Sequence, residues 1–299
     1  MKVESIVSGE EVKRMSGRTV KRWRLARDER GGVGVLIVVG LTAFAILVSV
    51  FFTDVFTVFT GMRMNQTAAD AAALAAAREA TKVYIEALQN KLEGKIVRLD
   101  GEVDREAWRR YEDDCYESCG TDADGHESCS TVCPPSIVPY WNAVVADWSV
   151  PGPIVRHLPS NPNPGGYDPT VKIPLDEAVR YFYRDDCPAV PLCGSVIEPR
   201  ANFRRDVDAA IEHALAGRIR SAAEEFAGEN GAYTVNAVTY VKQDAQDVSA
   251  FAIQVTVERR LSFLSVDARV FSNEPAVHNA AAADIDRIRG LPEAYYDGR

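Results

Sequence analysis

Six cysteines are the side chains with the most obvious chemistry: Cys115, Cys119, Cys129, Cys133, Cys187 and Cys193. The first four read C-x3-C, nine residues, C-x3-C. That symmetry suits two antiparallel helical or looped segments clasped by two bridges. Cys187 and Cys193 then close the short loop "CPAVPLC". The number is even, which fits a disulfide framework, though spacing alone does not choose the pairing. A zinc site built from Cys115, Cys119, Cys129 and Cys133, with His126, is the competing chemistry. Zinc motifs favour gaps of two or four residues over three. The intervening "TDADGHE" offers Asp122, Asp124 and Glu127, a fragment of a calcium loop without its later ligands.

Catalytic patterns are missing from the sequence. His126, His157, His213 and His278 are scattered, and none stands in an H-E-x-x-H motif. There is no G-x-S-x-G and no glycine-rich phosphate loop. The carboxylate pairs of "YEDD" and "YRDD" sit in acidic stretches that water can solvate. The expectation is a chain with no catalytic, cofactor-binding or metal-binding residue, no cofactor, no small-molecule substrate and no enzymatic activity.

The elements that position the cysteines begin with an apolar run. No charged residue occurs from Gly31 to Thr53, and Leu, Ile, Val, Phe and Ala dominate. About 20 such residues cross a bilayer as a helix. Lys13, Arg14, Arg18, Lys21, Arg22, Arg24, Arg27 and Arg30 crowd the side before it, which marks that flank as cytoplasmic. Residues 1–30 carry nine basic and five acidic side chains, so the remainder is strongly acidic within a net charge of -9. An acidic body repels phosphate, which argues against a nucleic-acid partner. All six cysteines follow the span and would lie in an oxidising compartment.

Beyond the span the sequence reads as α+β. Residues 62–93 have a helical pattern rich in alanine, with Gly94 as a stop signal. Residues 95–200 hold the cysteines and many prolines and read as a disulfide-rich loop insertion, with a short helix over 174–184. Residues 202–228 form an amphipathic helix with Val207, Ala210, Ile211, Leu215, Ile219, Ala222 and Phe226 on one face. "AYTVNAVTYV", "AFAIQVTVE" and "LSFLSVDARVF" alternate as strands, two or three of which pair antiparallel under that helix. The tail from residue 280 reads as a short helix and then a frayed end. The domain order is a cytoplasmic basic tail (1–30), a transmembrane helix (31–60), an Ala-rich helical extension (61–94), the Cys/Pro-rich loops (95–200), and a helix with an antiparallel sheet (201–299).

The stretch "DVFTVFTGMRMNQTAADAAALAAA" directly after an apolar helix resembles the N-terminal segment of TadE/TadG-like proteins of Tad (Flp) pilus systems. The pattern there has an Asp near the helix end, here Asp54, followed by an Ala-Ala-Asp-Ala-Ala-Ala-Leu-Ala-Ala run, here Ala68 to Ala76. The resemblance covers about residues 28–80. It implies a pilin-like, single-pass protein of a prokaryotic cytoplasmic membrane, with its N-terminus inside and the rest periplasmic or extracellular. Its role would be pilus assembly, anchoring or adhesion, and its partners would be membrane lipid and other pilin-like or Tad-system proteins, itself included. Cleavage after Gly31 or Gly32 would put Leu36 or Ile37, rather than Glu, fifth in the mature chain. That favours the larger TadG-like type over a polymerising pilin. Helix packing is expected to use Asp54, Gly61, Gln66, Ala69, Asp70, Ala73 and Ala76, since small side chains let helices approach closely. A membrane-anchored binding or adhesion module unrelated to pili, able to hold a metal, is the alternative.

Overall fold

The computed structural model describes residues 32–121, 127–243, 250–261, 263 and 276–296. The expected basic tail, His126, Asp122, Asp124 and most of the strand expected over 261–271 lie outside the described residues. The chain divides into two units, Met1–Thr53 and Asp54–Arg299.

The described part of the first unit is the start of helix α1 (Gly32–Asp113). Its large apolar side chains, such as Leu36, Phe44, Leu47 and Phe52, are exposed. Its hydroxyls are satisfied locally. Thr42, Ser49 and Thr53 donate to the carbonyls of Val38, Ala45 and Ser49 at 2.8, 2.8 and 2.9 Å. One helix here is long and apolar enough to span a membrane.

The second unit is α+β. After α1 come the antiparallel strands β1 (Tyr116–Thr121) and β2 (Glu127–Val132), then helices α2 (Val138–Asp147), α3 (Gly152–Val155), α4 (Leu175–Phe182) and α5 (Arg200–Ala214). A five-residue π turn, Leu215–Ile219, joins α5 to α6 (Arg220–Glu229). The strands β3 (Thr234–Val241), β4 (Ala252–Arg260) and β5 (Ala276–Asp284) form an antiparallel sheet in the order β3-β4-β5. Alternation on β4 buries Ile253, Val255 and Val257 and leaves Gln254, Thr256 and Glu258 partly exposed. Among the described residues, one face of β4 is buried and the other partly exposed, the pattern of a sheet packed on one face.

That covered face meets the alanine run. Ala68, Ala69, Ala72, Ala73, Ala76 and Ala80 are all fully buried in one core with Val235, Val255, Val257 and Phe251. Asn65, also fully buried, donates from Nδ2 to Val277 O at 2.8 Å and to Asn279 Oδ1 at 2.9 Å. Tyr84 O–H donates to Asp286 O at 2.6 Å.

Several expectations are corrected. The helix does not stop at Gly94 but runs to Asp113. A Cβ at Gly94 or Gly101 would meet nothing within 4 Å, so both glycines sit on an open face. Each costs about 1 kcal/mol of helix propensity. The buried row Leu92, Ile96, Leu99, Val103 and Ala107 outweighs that cost. Residues 95–200 are thus not loops throughout, and the expected helix over 174–184 is α4. The amphipathic helix is present, but its face changes at the π turn. Beyond that turn the buried row is Ala223 and Ala227, while Phe226 is exposed. The alanine-rich tail is no helix at its start: residues 276–284 pair with β4 across nine positions. Pairing and packing override alanine's helical preference. Tyr295 and Tyr296 are buried, and the last three residues of the expected frayed end lie outside the described residues.

Candidate functional site

The six cysteines form three disulfides: Cys115–Cys133, Cys119–Cys129 and Cys187–Cys193. The clasped segments are strands rather than helices or loops. Cys119 and Cys129 lie within the strands, and Cys115 and Cys133 flank the ends of the ribbon, next to the Tyr116–Val132 pair. Cys119 stands directly opposite Cys129 in the ladder. The four sulfurs are bonded in pairs, so they supply no thiolate to zinc. Among the described residues no group of three or more His, Cys, Asp or Glu converges as a metal site.

Every residue of β1 and β2 is exposed. A two-stranded ribbon with no face buried is marginal in water. The two bridges therefore hold this hairpin together. It is rooted on aromatic side chains at the end of α1. Trp108 packs edge-on against Tyr111, and Tyr111 against Tyr140, with ring centres 5.4 and 5.8 Å apart. Tyr111 O–H donates to Pro134 O at 3.0 Å. Trp108 stays 46% exposed, so an indole is available to a partner.

A second cluster clamps α1 to the cystine loop and to α5. Lys95 is 3% exposed and donates to Val196 O and Glu198 Oε1, both at 2.7 Å. Lys91 bridges Asp206 at 2.6 Å and Glu198 at 3.2 Å. Tyr183 O–H donates to Asp206 at 2.9 Å, and Lys95 lies 5.2 Å from the centre of the Tyr183 ring. Burial pulls the Lys95 ammonium below its usual range, against the pull of Glu198. Burial pushes the Glu198 carboxyl up, but the hydrogen bond and charge of Lys95, with Lys91, outweigh it and hold it low. Burial, then Asp206, raises the Tyr183 phenol far above its ordinary value. With every Lys95 donor directed at protein oxygens or an aromatic face, this is a clamp rather than a reactive amine. A cavity of about 160 Å³ lies beside Lys91 and Asp206, lined by Tyr84, Leu88 and Val207.

Third is an arginine hub. Arg204 is buried, donates to Asp208 at 2.7 Å, to Tyr296 O at 2.6 Å and to the Tyr240 hydroxyl at 3.2 Å, and stacks 5.0 Å from the centre of the Phe251 ring. Phe251 holds a left-handed backbone, φ 68°, which is strained for a bulky residue. Its N–H donates to Val241 O and its carbonyl accepts from Ile285 N–H, so ladder bonds on both sides maintain it.

The expected helix-packing residues separate into two groups. Ala69, Ala73 and Ala76 are fully buried against this chain's own sheet and core. They pack closely, as small residues do, but inside the chain. Gly61 is buried too, and a Cβ there would come within 2.5 Å of the Leu261 side chain. Asp54 is 8% exposed. Gln66 and Asp70 are exposed and hydrogen-bonded to each other at 2.9 Å. Asn65, Lys91, Lys95, Glu198 and Arg204 were not anticipated. Lys91 and Lys95 stand one turn apart beside the apolar row Leu88, Leu92 and Ile96, and that is the signal that could have found them.

No protein-family model, curated protein or solved structure matches the chain.

Proposed function

We propose that this chain is a membrane-anchored, extracytoplasmic structural protein of the TadE/TadG-like kind, acting in assembly or anchoring of a Tad-type pilus or a related secretion machine. The observation that carries the reading is α1 itself. Residues 33–53 lack charge, expose their apolar side chains and satisfy their own hydroxyls, as a lipid environment requires. Twelve large apolar side chains there forgo on the order of 20 kcal/mol of burial in water, which lipid restores. The basic side chains before the span orient it with the N-terminus in the cytoplasm. The three disulfides suit an oxidising compartment on the other side.

The buried alanine face changes where association with other pilin-like helices would occur. Ala69, Ala73 and Ala76 are occupied by the chain's own core, so packing with copies or partners falls to residues 33–53. Gly40 there has open space around it. Photo-crosslinking residues placed at Leu36, Gly40 and Leu47 in native membranes test this. The expected adducts are with a second membrane subunit or a second copy. Adducts with lipid alone contradict a packing role. The exposed cystine hairpin and Trp108 favour a second reading, a tethered adhesion module unrelated to pili. Loss of surface binding in Trp108→Ala, with crosslinks along residues 33–53 absent, supports that reading instead.

A further inference from the structure

Where α2 ends and α3 and α4 begin, the second unit has a cleft of about 480 Å³. Pro151 and Pro174 stand immediately before α3 and α4 and form part of its wall. A proline ring fixes φ, so that rim is rigid before anything binds. The rest of the wall comes from α4 and the turn after it: Asp176, Glu177, Arg180, Tyr181 and Arg184.

Arg184 is the unusual group among these. Its Nε and Nη2 are buried, and neither has a hydrogen-bond partner among the described residues. The guanidinium lies over the Tyr181 ring, 4.9 Å from its centre. Stacking of that kind uses none of the N–H donors. A buried donor without an acceptor is costly, and a charged one more so. One explanation for such a group in a native fold is an acceptor that arrives with an ion or ligand. Arg180 differs, because it donates to Gly290 O and is committed to the fold.

The two unmatched nitrogens share one edge of the guanidinium. That edge is the fork that meets both oxygens of a carboxylate side-on. Asp176 and Glu177 have no ion pair among the described residues. Two carboxylates in the same cleft repel a dianion such as phosphate and attract an ammonium. They lie in the first turn of α4, and Arg184 lies just beyond its last. At about 1.5 Å per residue, Glu177 and Arg184 stand about 10 Å apart along the chain. Their long side chains shorten that gap. An extended peptide of two or three residues spans about 7–10 Å.

We propose that this cleft binds a short free peptide, with its terminal carboxylate on the Nε–Nη2 edge of Arg184 and its terminal ammonium at Asp176 and Glu177. Arg184 as a whole is partly exposed and lines the cleft, so its guanidinium meets the carboxylate by side-chain rotation without backbone movement.

The test uses the full chain in detergent and equilibrium dialysis of radiolabelled alanyl-alanine. One equivalent is expected to bind. The C-terminal amide of the same peptide lacks the carboxylate and should bind about tenfold or more weakly. The N-acetyl form lacks the ammonium and should bind about threefold or more weakly. Arg184→Lys keeps the charge without the fork and should weaken the parent peptide about tenfold. Arg184→Met removes the unmatched donors, so binding should disappear while thermal unfolding stays close to that of the parent. No binding, equal binding of the amide, or unchanged binding in Arg184→Lys overturns the proposal. Equal binding of the acetylated peptide overturns the short-peptide assignment in favour of the carboxylate end of a longer chain. Asp297 lies outside the described residues. Tighter binding in Asp297→Asn overturns the assignment in favour of the chain's own tail. None of these readouts depends on the anchoring proposed above, whose failure would leave them unchanged.

Discussion

Ala73 concentrates the difference between the two uses of the alanine run. It is fully buried with Ala69 and Ala76 in the core formed with the sheet. Ala73→Leu therefore forces extra methylenes into a filled seam and should cost about 1–3 kcal/mol. Urea unfolding of the full chain in detergent reads this directly; an unchanged midpoint would mean the face is free for another helix. Lys95 and Glu198 are coupled in the same way. Glu198→Gln leaves a buried ammonium without its counter-charge, and removing one partner of such a pair typically costs about 3–5 kcal/mol. A double change, Lys95→Met with Glu198→Gln, should recover much of that loss. Glu106 supplies a pH signature. Hydrogen bonds from Arg109 and then Arg110 outweigh its burial and take its carboxyl from the ordinary 4.5 down to about 2. A depressed carboxyl stabilises the fold above 4.5, and that contribution is lost as pH falls through 2. Glu106→Gln should flatten the acid limb of stability in that window, so the variant is less stable than the parent near neutrality and converges with it as pH falls to about 2.

Elements show how far residue patterns carry. The apolar span, the alanine helix, the amphipathic helix and two of the strands follow from periodicity and composition alone. Two misreadings have physical causes. Gly94 resembles a terminator, yet the steps Leu92, Ile96, Leu99, Val103 and Ala107 continue the buried row past it. The sequence of β5, "AVHNAAAAD", has helical propensity, and its pairing with β4 depends on contacts distant in sequence. The π turn is illegible locally, because one extra residue in a turn leaves only a later shift of the apolar face. Nor did the sequence distinguish a two-stranded ribbon from looped segments around the four cysteines. That ribbon has no apolar face of its own. Reducing it, or making Cys119→Ser with Cys129→Ser, should release the amides of residues 116–121 and 127–132 to fast exchange and leave the β3-β4-β5 sheet protected. The Cys187–Cys193 loop, by contrast, carries buried Leu192 next to Val196, Ile197 and the Glu198 clamp. Cys187→Ser with Cys193→Ser should cost about 2 kcal/mol from loop closure.

For the molecule as a whole, an uncharged helical segment precedes a disulfide-bearing α+β module in the sequence, with opposite charge balance before and after the span. Among the described residues Lys95 and Arg204 are paired, the cysteines are bridged, and the cystine ribbon is exposed. The role proposed for it rests on where it is held and what it touches. The most direct measurement of that claim is the location of the C-terminus, read with alkaline phosphatase or β-galactosidase fused after residue 299 and expressed in the native membrane. The expected result is active phosphatase and inactive galactosidase. Active galactosidase with inactive phosphatase would put the cysteines in the cytosol and contradict the account.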